Sequence, residues 1–313
     1  MEYFRDLSDY RSEKPTVITL GKFDGVHLGH RMLLEQVRVI ADRRSLTSVV
    51  FTFDAPPQAK IHHRAGKMLM TNEERRLLLS EEAMDVLIEC PFTKEFRELS
   101  PDDFVRKILI GKFHAEALVV GDDFRFGKDR KGDAAFLEEA GRRCGFTVSV
   151  IGKKRDDVTG REISSTWVRE ELLRGNMETV KRLLGRPYFI TGEIMHGRQI
   201  GRSIGIPTIN QIPHEEKMLP PRGVYFSFAV IGAQRYRGVT NIGVRPTVSG
   251  SGVTAETNLL NGDGDLYGRE ARVYLLHFER PEQKFSSVDE LKEKIQGDIA
   301  AAKRYIPDCV ISE

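Results

Sequence analysis

The order of apolar patterns along the chain constrains the fold most tightly. Up to about residue 185, short β-branched runs (TVITLG, SVVFTF, DVLIEC, ALVVG, TVSVIG) alternate with segments of helical spacing, HRMLLEQVRVIADRR, NEERRLLLSEEA, PDDFVRKILI and AAFLEEAGRRCG. Strands alternating with helices predict a parallel sheet covered on both faces. Right-handed crossovers then line up the strand C-terminal ends along one edge, where open sheets bind ligands. Two helix starts are marked: Thr71 with Glu74 fits a capping box, and Ser100 precedes Pro101 at a first helical position. Two further helical segments follow, STWVREELLRG and METVKRLLG, until Arg186-Pro187 breaks the pattern. Beyond it come YFITGEIMHG, GVYFSFAVIG, QRYRGVTNIG, AETNLLNG and REARVYLLHFE, separated by Gly- and Pro-rich turns with no helix between them. That rhythm predicts an antiparallel β-barrel. SVDELKEKIQGDIAAAKRY predicts a terminal helix. The expected architecture is therefore a Rossmann-like α/β domain over 1–185 and a barrel domain over 186–313.

At 313 residues the chain has room for two domains. A net charge of +2 gives no strong field toward nucleic acid or membrane. Cys90, Cys144 and Cys309 lie far apart without CxxC spacing, as expected of reduced thiols. The stretch MEYFRDLSDYRSEK lacks the apolar core of a signal peptide, and no apolar run approaches the length of a membrane span. The expectation is a cytoplasmic protein, a monomer or weak homo-oligomer, with no nucleic-acid or membrane partner.

The segment GKFDGVHLGH, residues 21–30, falls where the first strand gives way to a helix at the ligand-binding edge. A helix N-terminus offers free N–H groups and partial positive charge, which suit phosphate. Glycines allow backbone to approach a ligand closely, and His27 and His30 add side-chain donors. A Gly-rich turn with two surface histidines is the plainer alternative for so short a pattern. At a later helix start, Ser164, Ser165 and Thr166 offer hydroxyls and N–H groups to phosphate. Arg169 lies three residues beyond Thr166, on the same helix face. In GDDFRFG, Asp123 can accept from ring or ribose donors, while Phe124 and Phe126 either wall a flat ring or pack in the core. The barrel half contains HGRQIGRSIGIPTIN, whose Gly197, Gly201 and Gly205 suit a phosphate-cradling loop of neither Walker A nor G-x-G-x-x-G spacing. Thr208 and Asn210 alternate to one side of an extended chain, and their oxygens suit Mg²⁺ shared with ATP phosphates.

Taken together, GKFDGVHLGH resembles the HxGH signature of the nucleotidyltransferase superfamily, in the form used by the bacterial bifunctional riboflavin kinase/FMN adenylyltransferase family. VVGDDFRFGKDRKGD, ISSTWVRE, LMTNEERRLLL and LSPDDFVRKIL are similar to further stretches of that family, and the likeness runs from about Val17 to the last helix. The resemblance implies a transferase with two ATP-dependent activities: FMN adenylylation to FAD in a nucleotidyltransferase domain, and riboflavin phosphorylation to FMN in a riboflavin kinase-like barrel. It implies that Gly21, Phe23, Asp24, Gly25 and Gly29 line the nucleotide, that His27 and His30 stabilise the α-phosphate, and that Arg169, Ser164 and Thr166 hold the outgoing phosphates. TAETNLLNGDGDLYG resembles the kinase stretch whose carboxylate serves as base, which falls on Glu256, and NIGVRPTV also matches, with Arg245 facing phosphate or a carboxylate.

Departures are equally legible. A Pro-His-Pro is usual after the second strand, but Ala55-Pro56-Pro57 stands there, with His62 and His63 nearby as substitutes. Asn258 replaces the usual His, and Asn261-Gly262 replaces Asp-Phe. Three alternatives follow: a chain with one of the two activities, a non-catalytic flavin-binding regulator, or a cytidylyltransferase acting on a polyol phosphate. An intact Glu256, Thr208 and Asn210 oppose the regulator, and a barrel bearing PTIN opposes the cytidylyltransferase.

Overall fold

The computed structural model describes residues 1–8, 10–54, 67–196, 206–247, 250–260, 262 and 265–306, without the side chains of 245–247, 250 and 251. The chain divides into two compact units, Met1–Ser165 and Thr166–Glu313.

In the first unit the strands are β1 (Glu2–Phe4), β2 (Thr16–Leu20), β3 (Thr47–Phe53), β4 (Val86–Cys90), β5 (Ala115–Gly121), a small hairpin of β6 (Arg125–Phe126) and β7 (Gly132–Asp133), and β8 (Thr147–Ile151). Six of them form one sheet in the order β1-β4-β3-β2-β5-β8, and every pairing is parallel. The helices α1 (Leu28–Arg44), α2 (Asn72–Glu81) and α3 (Ala134–Cys144) occupy the expected segments. The Thr71–Glu74 capping box closes in both directions, at 3.1 and 3.0 Å. Ser100 caps Pro101–Asp103, which runs on into a π-helical turn over Phe104–Ile110. From β2 the chain moves outward through β3 and β4, then returns to place β5 on the other side of β2. That reversal makes the gap between β2 and β5 the switch point, where doubly wound sheets bind ligands. The turn after β2 is GKFDGVH. Ile18, Val49, Ile88 and Leu118 are fully buried strand positions, and each such aliphatic side chain contributes about 1.5–3 kcal/mol of burial.

The strand β1 lies outside the expected list. It is three residues long, too short to show a period, and it is fixed by partners distant in sequence: Glu2 N donates to Asp85 O at 2.7 Å and Tyr3 Oη to Glu89 at 2.8 Å.

The helix α4 (Ser165–Arg174) begins where the units divide, and α5 (Met177–Leu184) follows. Then come β9 (Tyr188–Glu193), β10 (Thr208–Gln211), β11 (Gly223–Ile231), β12 (Gln234–Thr247), β13 (Gly250–Leu259), β14 (Glu270–Pro281) and the terminal helix α6 (Val288–Tyr305). The strands pair antiparallel in the order β10-β13-β12-β11-β14-β9. Met195, just past β9, donates its N–H to Asn210 O at 2.8 Å, and Gln211 Nε2 donates to Gly192 O and Ala271 O, each at 2.9 Å. These bonds draw the sheet edges together and curl it into a barrel. Ser227, Thr240 and Thr257, all fully buried, satisfy one another through hydroxyl bonds of 2.8 Å. Arg280 grips the buried Asp298 at 2.6 and 3.1 Å and ties α6 to β14.

The boundary between the compact units falls a helix pair earlier than the change of rhythm at Arg186. The reason is α5, which buries Val180, Leu183 and Leu184 and sets Glu178 against His277 Nδ1 of β14 at 2.5 Å and Tyr305 Oη of α6 at 3.2 Å. Among the described residues, no helix is long and apolar enough to cross a membrane.

Candidate active sites

The turn after β2 is a strained structure. Phe23 and Val26 hold φ of 47° and 38°, and Gly25 a φ of 91°. Positive φ costs about 1–3 kcal/mol at a non-glycine residue, and a β-branched residue there is an outlier. Buried polar bonds support it. Asp24 Oδ1 accepts from Leu69 N at 2.9 Å, and Arg75 Nη1 donates to Lys22 O at 3.1 Å. Arg75 is itself buried, donates to Phe53 O at 2.8 Å, and forms an ion pair with Glu89. One guanidinium thus joins the chain leaving β2 to the ends of β3 and β4.

The strained turn delivers His27 to the N-cap of α1, where its Nδ1 accepts from His30 N at 3.3 Å. An accepting Nδ1 carries no hydrogen, so the proton of the neutral ring lies on Nε2. The two imidazoles stack, with centroids 3.7 Å apart and planes 18° from parallel, and Phe23 packs against His30 at 5.2 Å. Gly29 makes this possible: a Cβ there would stand 3.1 Å from His27 Cε1, and a Cβ at Gly21 would stand equally close to the Phe23 ring. The helix begins at Leu28, inside the GKFDGVHLGH segment.

The Ser-Ser-Thr segment reaches this turn. Ser165 Oγ donates to Asp24 O at 2.8 Å, and the Ile163 carbonyl lies beside Gly29. Ser164 precedes α4, Thr166 is exposed on its first turn, and Arg169 follows Ser165 by one helical turn. Asp123 sits beyond the end of β5, exposed, with Lys153 Nζ at 3.3 Å; that hydrogen bond raises the Lys153 pKa. Phe124 and Phe126 stack at 5.7 Å, but they differ in setting. Phe126 is buried between Phe104 and Phe136, a core position, whereas Phe124 is half-buried over it.

In the barrel, Asn210 lies directly opposite Glu256, and Glu256 opposite Asn241, so the three share one face of adjacent strands. Thr208, two residues before Asn210, lies on that face opposite Asn258. Glu256 is half-buried. Asn210 is buried, and its Oδ1 has no hydrogen-bond partner among the described residues. Such an orphan costs about 1–3 kcal/mol unless a ligand completes it. Two neutral oxygens beside a carboxylate form the donor set a hard cation takes while it keeps water and phosphate ligands. Among the described residues, no cluster of three His, Cys, Asp or Glu could hold a metal ion. Gly197, Gly201 and Gly205 lie outside the described residues, as do Ala55-Pro56-Pro57, His62, His63 and Asn261, and the Arg245 side chain.

Sequence reasoning did not single out Arg75, whose only signal is the pair of arginines after the Thr71 cap. It also missed the stack of His196 on Tyr267, with centroids 3.7 Å apart, which joins the start of the Gly-rich segment to GDLYG.

Comparison with known proteins finds relatives for both halves of the chain. Residues 9–167 match the FAD synthetase family model, and residues 184–306 match riboflavin kinase. The bifunctional riboflavin kinase/FMN adenylyltransferase of Pseudomonas fluorescens is 37% identical over 97% of each chain. Its counterpart from Escherichia coli K12 is 37% identical over 92% of each. A crystal structure from Streptococcus pneumoniae, described as a macrolide-efflux protein, superposes with a TM-score of 0.86 at 30% identity, covering 96% of this chain and 98% of that one. Two family models in tandem and end-to-end relatives leave one conclusion: the chain belongs to the bifunctional riboflavin kinase/FMN adenylyltransferase family.

Proposed function

We propose that the two sites divide the family's two ATP-dependent reactions between modules 1–185 and 186–313. In the first, an FMN phosphate oxygen attacks the α-phosphorus of ATP; the new P–O bond makes FAD and the broken one releases pyrophosphate. Charge spreads over the phosphate oxygens in such a transfer, which calls for aligned donors more than for proton exchange. His27, through Nε2–H, and His30 meet the α-phosphate. Ser164, Thr166 and Arg169 hold the outgoing phosphates. Gly21, Phe23, Asp24, Gly25 and Gly29 shape the turn, and Ser165 braces it. Asp123 and Phe124 meet the flavin, with Phe126 as backing from the core.

In the second module Glu256 takes the proton of the ribityl hydroxyl as its oxygen attacks the γ-phosphorus and ADP leaves. Gly197, Gly201 and Gly205 cradle phosphates, while Thr208 and Asn210 hold Mg²⁺. When bound, that ion neutralises phosphate charge. The chain works in the cytoplasm as a monomer or weak homo-oligomer, on riboflavin, FMN and ATP, with no nucleic-acid or membrane partner.

The observation that supports the first assignment is the bond from Ser165 to Asp24, which brings the Ser-Ser-Thr segment to the histidine turn. The second rests on Asn210 and Glu256 standing opposite each other. Incubation of the purified chain with riboflavin, ATP and Mg²⁺ tests both. FMN forms first and FAD follows; FMN that accumulates without FAD contradicts the first assignment.

A further inference from the structure

Asn258 stands where the family resemblance calls for histidine, and it is not idle. It lies opposite Thr208 in the β10–β13 ladder, is buried, and donates from Nδ2 to Pro207 O at 2.7 Å. Pro207 immediately precedes Thr208. Its ring fixes φ near −65° and leaves ψ as the only soft backbone angle. A hydrogen bond to its carbonyl fixes that second angle. The direction in which Thr208 leaves Pro207 is then set from both sides. We infer that Asn258 is a positioning residue of the kinase site: its amide locks the Pro207 carbonyl and so aims Thr208 at the metal–phosphate group.

The inference rests on Thr208 being an oxygen ligand of that group. Asn258 acts through the backbone and touches no reactant. The side chain is neutral at every working pH and its NH₂ is always a donor, so the lock does not titrate. An imidazole N–H at the same position could make the same bond.

Calorimetric titration with Mg·ADP tests this, in a His27→Ala/His30→Ala background that weakens the other nucleotide site. Asn258→Ala binds Mg·ADP about fivefold more weakly, the worth of one ordinary hydrogen bond. Asn258→His keeps the donor and restores most of the affinity. With otherwise wild-type protein, Asn258→Ala raises the KM for Mg·ATP in FMN formation by a similar factor, leaves kcat nearly unchanged, and leaves adenylylation of supplied FMN intact. Thr208→Val separates the inference from the reading beneath it. Weakened binding in Thr208→Val with unchanged binding in Asn258→Ala overturns the role of Asn258 alone. Unchanged binding in Thr208→Val overturns the metal assignment. A lowered melting temperature in Asn258→Ala with no change in affinity or KM makes the residue purely structural and also overturns the inference.

Discussion

Ser165 and Asp24, far apart in sequence, are joined by one hydrogen bond of 2.8 Å from the Ser165 hydroxyl to the Asp24 carbonyl. The acceptor lies inside the strained turn that presents His27 and His30, and the donor is the first residue of α4. Ser165→Ala removes the brace and leaves the fold. FMN adenylylation should fall roughly five- to tenfold, the effect of about 1–1.5 kcal/mol of lost hydrogen bonding, while riboflavin phosphorylation is unchanged. Initial rates of the two half-reactions check this.

Gly29→Ala tests the stacked imidazoles. A methyl there would stand 3.1 and 3.2 Å from His27 Cε1 and Nδ1. The ring must shift, and both its cap on α1 and its stack on His30 loosen. Adenylylation should drop at least about tenfold with little change in melting temperature, because a displacement of this size at reacting groups is costly to rate.

Arg75→Ala should act on stability first. Arg75 and Glu89 are both buried; removing the guanidinium leaves Glu89 held by Arg76 and Tyr3 but takes the donor from Lys22 O and Phe53 O, at a cost of about 1–3 kcal/mol. Scanning calorimetry should show the melting temperature lowered markedly. Arg75→Lys keeps the charge but cannot reach Lys22 O and Phe53 O together as the guanidinium does, and should recover only a fraction of the loss.

Local sequence reveals those features whose causes are local. The alternating rhythm located the parallel sheet, and its loss after Arg186 located the barrel, because buried faces impose periods on neighbouring residues. The capping box at Thr71 was equally visible, since its partners lie three residues apart. The strand β1, the role of Arg75 and the extension of the second unit back to α4 were not. Each depends on contacts between residues distant in the chain: Glu2 with Asp85, Arg75 with Lys22 and Glu89, Glu178 with His277. Phe124 and Phe126 show the limit within a motif. Two residues apart in one sequence pattern, they become a half-buried ring and a core ring because only Phe126 reaches Phe104 and Phe136.

Glu178 carries a pH signature. Burial pushes its carboxyl pKa up, but hydrogen bonds from His277, its own backbone N–H and Tyr305 outweigh that and leave it below the ordinary 4.5. A folded-state pKa that is depressed adds stability above the ordinary carboxylate range, and that stability is lost as pH falls through the folded value. Stability of the second unit should therefore decline in acid below about pH 4.5, and Glu178→Gln should flatten that decline. Urea midpoints between roughly pH 3 and pH 7, a span that brackets carboxylate titration, provide the comparison.

The proposed division of labour gives adenylylation and phosphorylation to separate groups, the histidine turn and the Glu256 face. Time courses of FMN and FAD from His27→Ala/His30→Ala and from Glu256→Ala measure this directly. The histidine variant should make FMN at the normal rate and no FAD. The glutamate variant should make no FMN from riboflavin but convert supplied FMN to FAD. Loss of both activities in either folded variant, or a Glu256→Ala protein that phosphorylates riboflavin normally, would contradict it.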